Sequence, residues 1–388
     1  MLSRPISPGS VRSRVNSLGP AVAAIALGIM WAVSNTSVDD PRPERIVIIV
    51  VGIGLVATTI AGSVSAAFVG WYAILVALAE RVTKDPLQGY SDVLSATREA
   101  LDVVLQGGNP YTHLMTSTSP IGSPFPYPPG EFLFYLPAYL WFGDISRVDI
   151  AASVAITACI VLAGLRVGYD RVVLPAMVYA TWLFSSFHAA DGSNDTSAAL
   201  LVVVAITLLA LNERWPSRWL LLASAVSFGW AIAFKQFAIF LLVPAVRYVA
   251  GRGSWRLYLA VAGGTLAAFV LPFFVRDPLA FVGQQVAALT FHTEHSGVNI
   301  AGGLAGMGIH PPGTVFTALE LFAAVVLLAL GAIVPTGSLG RATLMGAGAV
   351  AVVILLAPWT SQGYWLYVGS VGLLGIALLD DRASRQPA

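Results

Sequence analysis

Long apolar runs alternate with short polar segments along most of this 388-residue chain. A helix that crosses the hydrocarbon core of a bilayer needs about 20 mostly apolar residues, and several runs reach or approach that length. The clearest runs cover residues 18–35, 64–82, 219–234, 255–275 and 341–358. This pattern predicts an all-α integral membrane protein in which about 12 helices cross the membrane. We expect residues 1–388 to form a single transmembrane domain with no soluble domain.

The amino-acid composition also indicates a membrane protein, and it limits the kinds of partner that the chain would bind. Hydrophobic residues make up 57% of the chain and charged residues only 11%, whereas an ordinary soluble domain has roughly 25% charged residues. The formal net charge of +1 argues against nucleic acid as a partner. The single cysteine, Cys159, cannot form an intramolecular disulfide.

Basic residues collect in a subset of the loops, which predicts orientation because lysine and arginine accumulate on the cytoplasmic side. Placing those loops inside leaves residues 84–130, 188–195, 276–312 and 358–364 outside. We therefore expect a multi-pass plasma membrane protein with both termini cytoplasmic and residues 1–17 as a tail instead of a cleaved signal peptide. The basic clusters are Arg4 to Arg14, Arg166 and Arg171, Arg214 and Arg218, Arg247 to Arg256, Arg341, and Arg382 with Arg385. Arg42 and Arg45 would lie outside, against the rule.

One apolar piece, residues 131–143, is short and contains Pro137. The chain must cross an odd number of times between the outer loop that ends at residue 130 and the inner arginines that follow. A second piece, residues 148–165, supplies that crossing. We therefore interpret residues 131–143 as re-entrant or interfacial, which membrane proteins tolerate where protein covers the segment.

The outer loop at residues 84–130 carries a pattern of its own. Ser91 is a good N-cap, and Asp92 would lie at the positive end of the helix that follows. Apolar residues then recur at helical spacing opposite a polar face, and Gly107-Gly108 ends the run. The pattern predicts an amphipathic helix along the outer membrane surface. Glu99 and Asp102 on its polar face are expected to be solvated or paired with Arg98.

Proline dominates the end of this loop, in the sequence Pro124-Phe125-Pro126-Tyr127-Pro128-Pro129-Gly130. Such a density of proline excludes helix and favours a stiff extended segment. A stiff aromatic segment just before the chain re-enters the membrane suits the wall of a binding cavity.

These motifs together resemble the first outer loop of GT-C glycosyltransferases, above all glycosyltransferase family 87, the polyprenyl-phosphate-mannose-dependent α-mannosyltransferases. The residues that carry the resemblance are Asp92, Gly107-Gly108-Asn109-Pro110-Tyr111 and the proline-rich segment. Gly192-Ser193-Asn194-Asp195 is similar to that family's Gly-Gln-Asn turn, with Ser193 where glutamine is usual. Ala233-Phe234-Lys235-Gln236-Phe237, followed by Pro244, is similar to its lysine-bearing motif. The resemblance implies a GT-C-like bundle and covers roughly residues 92–244.

The resemblance implies that Asp92 is the general base, which takes the proton of the acceptor hydroxyl as it attacks the anomeric carbon. A simpler reading leaves Asp92 as a favourable charge at a helix start, worth about 0.3–1 kcal/mol. Asp85 is the next contender for the base.

Lys235 follows one apolar run and precedes another. A charged residue within a membrane is costly, so a lysine there suggests a functional role. The resemblance implies that this role is to bind the phosphate of a lipid-linked donor. The alternative is a lysine that snorkels to the interface. The predicted substrate-binding set is Asn109, Tyr111, Tyr127, Asp191, Asn194, Asp195, Lys235, Gln236, His292 and His295.

Two members of that set have plain alternatives. Asn194 or Asp195 would suit the N-cap of the next helix. His292 and His295, with Glu294 between them, form a His-x-x-His pair that could ligate a metal, but a short stretch without a scaffold favours a phosphate or sugar contact. We predict no metal site from these residues and leave divalent-metal dependence open.

The resulting hypothesis is an inverting membrane glycosyltransferase that moves a sugar, with mannose the first candidate, to a lipid, glycolipid or polysaccharide acceptor on the extracytoplasmic face. The donor would be a polyprenyl-phosphate sugar, and no further cofactor is required, because the phosphate ester already activates the sugar. The chain contains no nucleotide-binding motif. The alternatives are a secondary transporter or a lipid or oligosaccharide flippase, and an accessory subunit that scaffolds envelope enzymes. Transporters tend to show internal repeats, and we find none here.

Overall fold

The computed structural model describes residues 66–87, 91–290 and 296–379. Almost all of the regular structure in these ranges is α-helix. We label the helices from the first described one: α1 Ala66–Thr83, α2 Val93–Leu105, α3 Gly130–Phe142, α4 Val148–Val167, α5 Tyr169–Thr181, α6 Leu183–His188, α7 Asp195–Arg214, α8 Arg218–Phe234, α9 Ile239–Ala250, α10 Trp255–Arg276, α11 Pro278–Thr290, α12 Ile300–Gly306, α13 Gly313–Ile333, α14 Leu339–Leu356 and α15 Gly363–Ala377.

Five helices are long and apolar enough to cross a membrane, namely α4, α7, α10, α13 and α14. The chain is therefore an all-α protein with helices of membrane-spanning length and composition. Helices α8 and α15 are apolar but shorter, as is the segment Gln236–Ala250, which combines a 3₁₀ turn with α9. The prediction of about 12 spans stays a prediction, because residues 1–65, with the run at 18–35, Arg42 and Arg45, lie outside the described residues.

Helix α7 forms the centre of the bundle, since 72% of its apolar window is buried, and α4 and α8 pack along it. In α10 and α13 only 11% of the apolar window is buried, so these helices present apolar side chains outward. Helices α8 and α10 approach closely at Gly229, where a Cβ would lie 2.3 Å from the carbonyl oxygen of Ala262 in α10. Because glycine has no side chain, the two backbones can pack directly against each other.

The predicted outer loops lie together at one end of the bundle. The Leu87 amide donates to the carbonyl oxygen of Ala190 at 2.7 Å, which joins the first outer loop to the turn before α7. Strand β1, Ser296–Gly297, pairs in parallel with β2, Trp359–Thr360, and so joins two further outer loops. We call this the polar-loop end. Arginines at the ends of α4 and α7, in the first turn of α5 and just after α9 meet at the other end, which we call the basic end.

Helix α3 does not cross the bundle. It has 13 residues and is therefore roughly 20 Å long at 1.5 Å per residue, against a hydrocarbon core of about 30 Å. Both parts of α3 contact α2, through Glu131 to Thr97 at 2.7 Å and Tyr139 to Asp102 at 2.5 Å. The interpretation of residues 131–143 as a non-crossing segment agrees with this geometry.

The predicted helix boundaries in the described ranges agree closely with the structure. Residues 219–234 and 255–275 correspond to α8 and α10, and the amphipathic pattern after Asp92 corresponds to α2. Helix α2 ends before Gly107, whose φ of +80° lies in the left-handed region that favours glycine. Helix α11 lies within the predicted outer loop at 276–312.

Candidate functional site

Four segments that are far apart in sequence meet at the polar-loop end. The ammonium group of Lys235, in the turn after α8, forms a buried ion pair with the carboxylate of Asp195, the first residue of α7. The Nζ atom of Lys235 also lies over two aromatic rings, 5.7 Å from the Tyr127 centroid and 4.8 Å from the Tyr364 centroid. The first outer loop, the turn before α7, the lysine turn and the start of α15 therefore form one site.

Both charged residues of the pair are positioned by the ends of helices. Asp195 starts α7, where the helix dipole favours a carboxylate. Lys235 follows Phe234 in an extended conformation that ends α8 before a 3₁₀ turn begins. Gly363, the first residue of α15, lets the Asp195 carboxylate approach, because a Cβ there would lie 2.1 Å from its Oδ2 atom.

The proline-rich segment lies beside the ion pair, with Tyr127 next to Lys235, and its role as a wall of a binding cavity stays a prediction. The hydroxyl of Tyr111 donates to the carbonyl oxygen of Tyr127 at 2.8 Å, and the Phe125 amide donates to Gln284 of α11 at 2.8 Å. Phe125 itself is fully buried between rings, including those of Tyr111 and Phe132. These contacts hold Tyr127 over Lys235.

Glu131 connects this wall to the turn before α7. Its Oε1 atom accepts hydrogen bonds from the Thr97 hydroxyl at 2.7 Å and from the Asn194 amide at 3.1 Å. All three side chains are buried. Within the described part of the chain, Glu131 Oε2 and Asn194 Oδ1 have no hydrogen-bond partner. Two buried acceptors thus remain open for a ligand donor, since buried polar groups normally have partners.

The turn before α7 holds a second buried pair. Asp191 contacts His188 Nδ1 at 2.5 Å and accepts a hydrogen bond from the Ser193 amide at 2.8 Å. The side chains of His188 and Asp191 are 6% and 2% exposed. Asp191 therefore shapes the turn, and its two carboxylate oxygens are both occupied.

Asp92, the predicted base, lies just before α2 on the surface of the protein. Its side chain is exposed, and Oδ2 accepts a hydrogen bond from the Ser119 amide at 2.9 Å. Burial raises the pKa of Tyr127 above its usual value, and neighbouring charges, including those of Asp195 and Asp92, add to that rise. The predicted N-cap, Ser91, is wrong by one residue: Asp92 holds the N-cap position without a side-chain capping hydrogen bond, and the Ser91 hydroxyl accepts from the Val93 amide at 3.3 Å.

Other predicted residues have structural partners. Asn109 accepts from the Tyr111 amide at 3.2 Å, and both side chains are buried beneath the loop. Gln236 is exposed and donates to Gln285 of α11 at 2.9 Å. His292 and His295 lie outside the described residues, as does Glu294. Of the ten predicted substrate-binding residues, Tyr127, Asn194, Asp195 and Lys235 surround the site.

Two expectations about polar residues, those for Glu99 and for Asn194 as a cap, need correction. Glu99 does not pair with Arg98: it accepts from the amides of Thr116 and Ser117, while Arg98 pairs with Asp144. Asp102 is exposed, as one of the two expectations for it had it, and accepts from Tyr139. The Asn194 side chain makes no capping hydrogen bond to α7, because it turns to Glu131. Asp85 is 85% exposed and lies 3.5 Å from Arg147, so it forms a surface ion pair.

Sequence reasoning missed Glu131 and Asp149. Asp149 accepts from the Tyr135 hydroxyl and from the Ser197 hydroxyl, both at 2.8 Å, and thereby ties α3, α4 and α7 together. The available signal was that Glu131 and Asp149 are acids at the starts of apolar runs, where a buried charge needs a partner. Among the described residues, no group of three or more His, Cys, Asp or Glu side chains could hold a metal ion.

No family model, curated protein or solved structure matches this chain. The resemblance to glycosyltransferase family 87 therefore stays a prediction that rests on the residues named above. The fold defines the chain as an all-α protein with apolar, membrane-length helices and a buried, charged site at one end.

Proposed function

We propose that the chain is an inverting membrane glycosyltransferase that uses a polyprenyl-phosphate sugar as donor. Mannose is the first candidate sugar, and the acceptor is a lipid, glycolipid or polysaccharide hydroxyl. The polar-loop end would face the extracytoplasmic side of the plasma membrane, with the basic end in the cytoplasm. The three motifs of the family 87 resemblance supply the residues.

The observation that carries the proposal is the position of Lys235 between the proline-rich wall and the turn before α7. Its ammonium contacts Asp195 and lies near the faces of Tyr127 and Tyr364. Segments that the resemblance linked only through motif order thus contribute to one place. Chance motif matches would not be expected to meet in this way.

Lys235 suits the donor phosphate. A lysine ammonium has three N–H donors, and within the described residues Lys235 donates a hydrogen bond to Asp195 alone. The remaining donors can bind phosphate oxygens that approach from the membrane interface. The aromatic rings shield the ammonium from water, which strengthens its attraction for an anion.

Asp92 suits the base. In the proposed step, the acceptor oxygen forms a bond to the anomeric carbon while the bond from that carbon to the phosphate oxygen breaks. The acceptor proton passes to the Asp92 carboxylate, and the leaving group is polyprenyl phosphate. Attack from the face opposite the phosphate inverts the anomeric centre. The exposed Asp92 side chain is accessible to an acceptor from outside.

The test is transfer of radiolabelled mannose from polyprenyl-phosphate mannose to membrane lipid acceptors by the purified protein in nanodiscs. We expect Asp92→Asn to lower turnover by about 10²–10⁴-fold, the usual contribution of a general base. Asp85→Asn is the matched control, because Asp85 is an exposed carboxylate of the same loop that pairs with Arg147. Full turnover in Asp92→Asn would show that another group is the base.

A second arm separates the enzyme from a transporter or flippase. Proteoliposomes are loaded with the same labelled donor, and both movement across the bilayer and transfer are recorded. Transfer that requires Asp92 and Lys235 supports the glycosyltransferase. Movement of the intact donor without transfer would overturn it in favour of the transporter.

A further inference from the structure

One acid lies within an apolar helix of membrane-spanning length. Glu320 belongs to α13, Gly313–Ile333, and that helix contains no other charged residue. At 1.5 Å per residue, Glu320 lies about 10 Å from the start of the helix at the polar-loop end. An ionisable group at such a depth is costly, so a carboxyl group there suggests a functional role.

Glu320 lies on the inner face of α13. The buried residues of this helix are Phe316, Ala323 and Gly331. Their spacings from Glu320 are those of residues on one helix face, so all of them share its side of α13. Phe322, on the opposite side, is 69% exposed. Although its neighbours on the inner face are buried, Glu320 itself is only half-buried.

The inner face of α13 packs against α9, the helix that follows the lysine turn and runs in the same direction. A Cβ on Gly331 would lie 3.3 Å from Val243 and 3.5 Å from Pro244 of α9, which fixes the register of the two helices. Measured from Gly331 towards the polar-loop end, Glu320 is about 16 Å away along α13. Measured from Val243, Lys235 is about 15 Å away along α9 and its 3₁₀ turn. Glu320 and Lys235 therefore lie at about the same height in the bundle.

Tyr364, one of the two tyrosines beside Lys235, is influenced by both acids at this height. Its ring centroid lies 4.8 Å from the Lys235 ammonium. Burial raises the pKa of Tyr364, and the negative charges of Asp195 and Glu320 add to that rise. Glu320 therefore acts electrostatically on the same side chain as Asp195, which agrees with the register of α9 and α13.

The two acids differ in their partners. Asp195 pairs with Lys235, whereas Glu320 makes no hydrogen bond or ion pair within the described part of the chain. Polar groups that are taken out of water normally have a partner. The structure thus combines a cation that has further N–H donors with a carboxyl group that has no donor. A ligand that satisfies both must carry negative oxygens and hydroxyl groups, as a glycosyl phosphate does.

We propose that Glu320 is a substrate-binding residue that accepts a hydrogen bond from a hydroxyl of the sugar while Lys235 binds the phosphate of the same lipid. This inference rests on the proposed function, because it takes a lipid-linked glycosyl phosphate as the ligand. It adds a residue of α13 that contacts the sugar and so selects the sugar-bearing lipid over the sugar-free product. The plain alternative is a carboxyl group that holds a proton and contacts no ligand.

The experiment measures the binding of two lipids to the full-length protein in detergent, by native mass spectrometry. The probes are a short-chain polyprenyl-phosphate mannose and the same polyprenyl phosphate without a sugar. Glu320→Gln should weaken binding of the mannose lipid roughly 10-fold, the effect of losing a charge-assisted hydrogen bond. It should leave the sugar-free lipid bound equally or more tightly, because removing a carboxylate lessens the repulsion of phosphate. Asp85→Asn is the matched control and should bind both lipids as the unaltered protein does, since Asp85 is an exposed acid paired with Arg147.

Two outcomes would overturn the role of Glu320 alone. Unchanged binding of both lipids in Glu320→Gln would favour the plain alternative, and equal weakening of both with a lower melting temperature would show a structural role. The proposed function fails separately. A preference for the mannose lipid that requires Glu320, without any sugar transfer, would support this inference and overturn the transferase. Transfer with an unchanged preference would do the reverse, and binding of neither lipid by the unaltered protein would overturn both.

Discussion

Asp195 and Lys235 are 40 residues apart in the sequence, yet their side chains form an ion pair in which they are 4% and 5% exposed. The pair joins the start of α7 to the end of α8 at the polar-loop end. Each charge alone would be costly at this depth, because an isolated ion loses its hydration on burial. The pair therefore fixes the two helix ends with respect to each other.

The first prediction concerns this pair. Asp195→Asn and Lys235→Gln should each lower the free energy of unfolding by about 3–5 kcal/mol, because each leaves a buried charge without its partner. The double variant should lose less than the sum, since it leaves no unpaired charge. Unfolding in detergent micelles measures all three. Asp85→Asn with Arg147→Gln, an exposed pair at 3.5 Å, serves as the control and should change stability by less than about 1 kcal/mol. Additive losses at Asp195 and Lys235 would contradict the pairing.

The second prediction concerns Gly363, which allows the Asp195 carboxylate its position. In Gly363→Ala, the new Cβ would lie 2.1 Å from Asp195 Oδ2, so the carboxylate must move away from Lys235. We expect lower thermal stability and a lower rate of the proposed sugar transfer, because the Lys235 ammonium loses its ion pair with Asp195 and is no longer held in position. Gly372→Ala in the same helix is the control, because nothing lies within 4 Å of its Cβ. That variant should be neutral or stabilise α15 by up to about 1 kcal/mol. Equal effects from the two variants would show that the close approach has no consequence.

The helices could be predicted from the sequence because apolar periodicity is a local property. The short helix α3 was also recognisable, since its length and Pro137 are local too. The side-chain partners were not. Arg98 and Glu99 are adjacent, but Arg98 reaches Asp144 and Glu99 reaches Thr116 and Ser117, contacts that exist only once the loops have folded back on α2.

In the candidate site, too, local features could be predicted from the sequence, whereas contacts between distant residues could not. The turn before α7 looked like a helix cap, because asparagine and aspartate commonly cap helices. In the folded chain the Asn194 side chain hydrogen-bonds to Glu131, and Asp195 forms an ion pair with Lys235. Because these groups are buried, pairing them contributes more to stability than a capping hydrogen bond would. Glu131 itself could not be assigned from its neighbours in the sequence: its partners come from α2 and from the turn before α7.

The third prediction concerns pH. Partial burial would raise the pKa of Glu99, but hydrogen bonds from Ser117, Thr116 and His113 outweigh it and hold the pKa at about 2, below the ordinary 4.5. A lowered folded-state pKa stabilises the fold fully above the ordinary value, and that contribution is lost as the pH falls from about 4.5 towards 2. Protonation should therefore release the segment around Thr116 and Ser117.

Hydrogen exchange of the Thr116 and Ser117 amides, corrected for its intrinsic pH dependence, measures this release. Protection should be high at pH 6 and should fall between pH 4.5 and 2. Glu99→Gln should show low protection already at pH 6, because the neutral amide accepts these hydrogen bonds more weakly. Asp85→Asn should follow the unaltered protein. Protection that persists in Glu99→Gln would show that Glu99 does not anchor the segment.

The last prediction tests the contact between Glu131 and Asn194. Asn194→Ala removes one donor to the buried carboxylate and should cost about 1–3 kcal/mol, the penalty for an unsatisfied buried acceptor. Asn194→Asp keeps the shape of the side chain but brings a second acid to within about 3.1 Å of Glu131 Oε1. Two carboxylates at that distance repel each other or must share a proton. We therefore expect Asn194→Asp to destabilise the protein more than Asn194→Ala.

The reversed pair decides whether charge is the cause. Combining Glu131→Gln with Asn194→Asp returns one amide and one carboxylate to the contact with their positions exchanged. Stability should recover to within about 1–2 kcal/mol of the unaltered protein, since the amide can again donate to a carboxylate. Thr97, which donates to Glu131 at 2.7 Å, can also donate to the carbonyl oxygen of a glutamine. A reversed pair no more stable than Asn194→Asp alone would show that shape at this contact matters more than charge, and Glu131 would then lose its role as the link between the wall of the site and the start of α7.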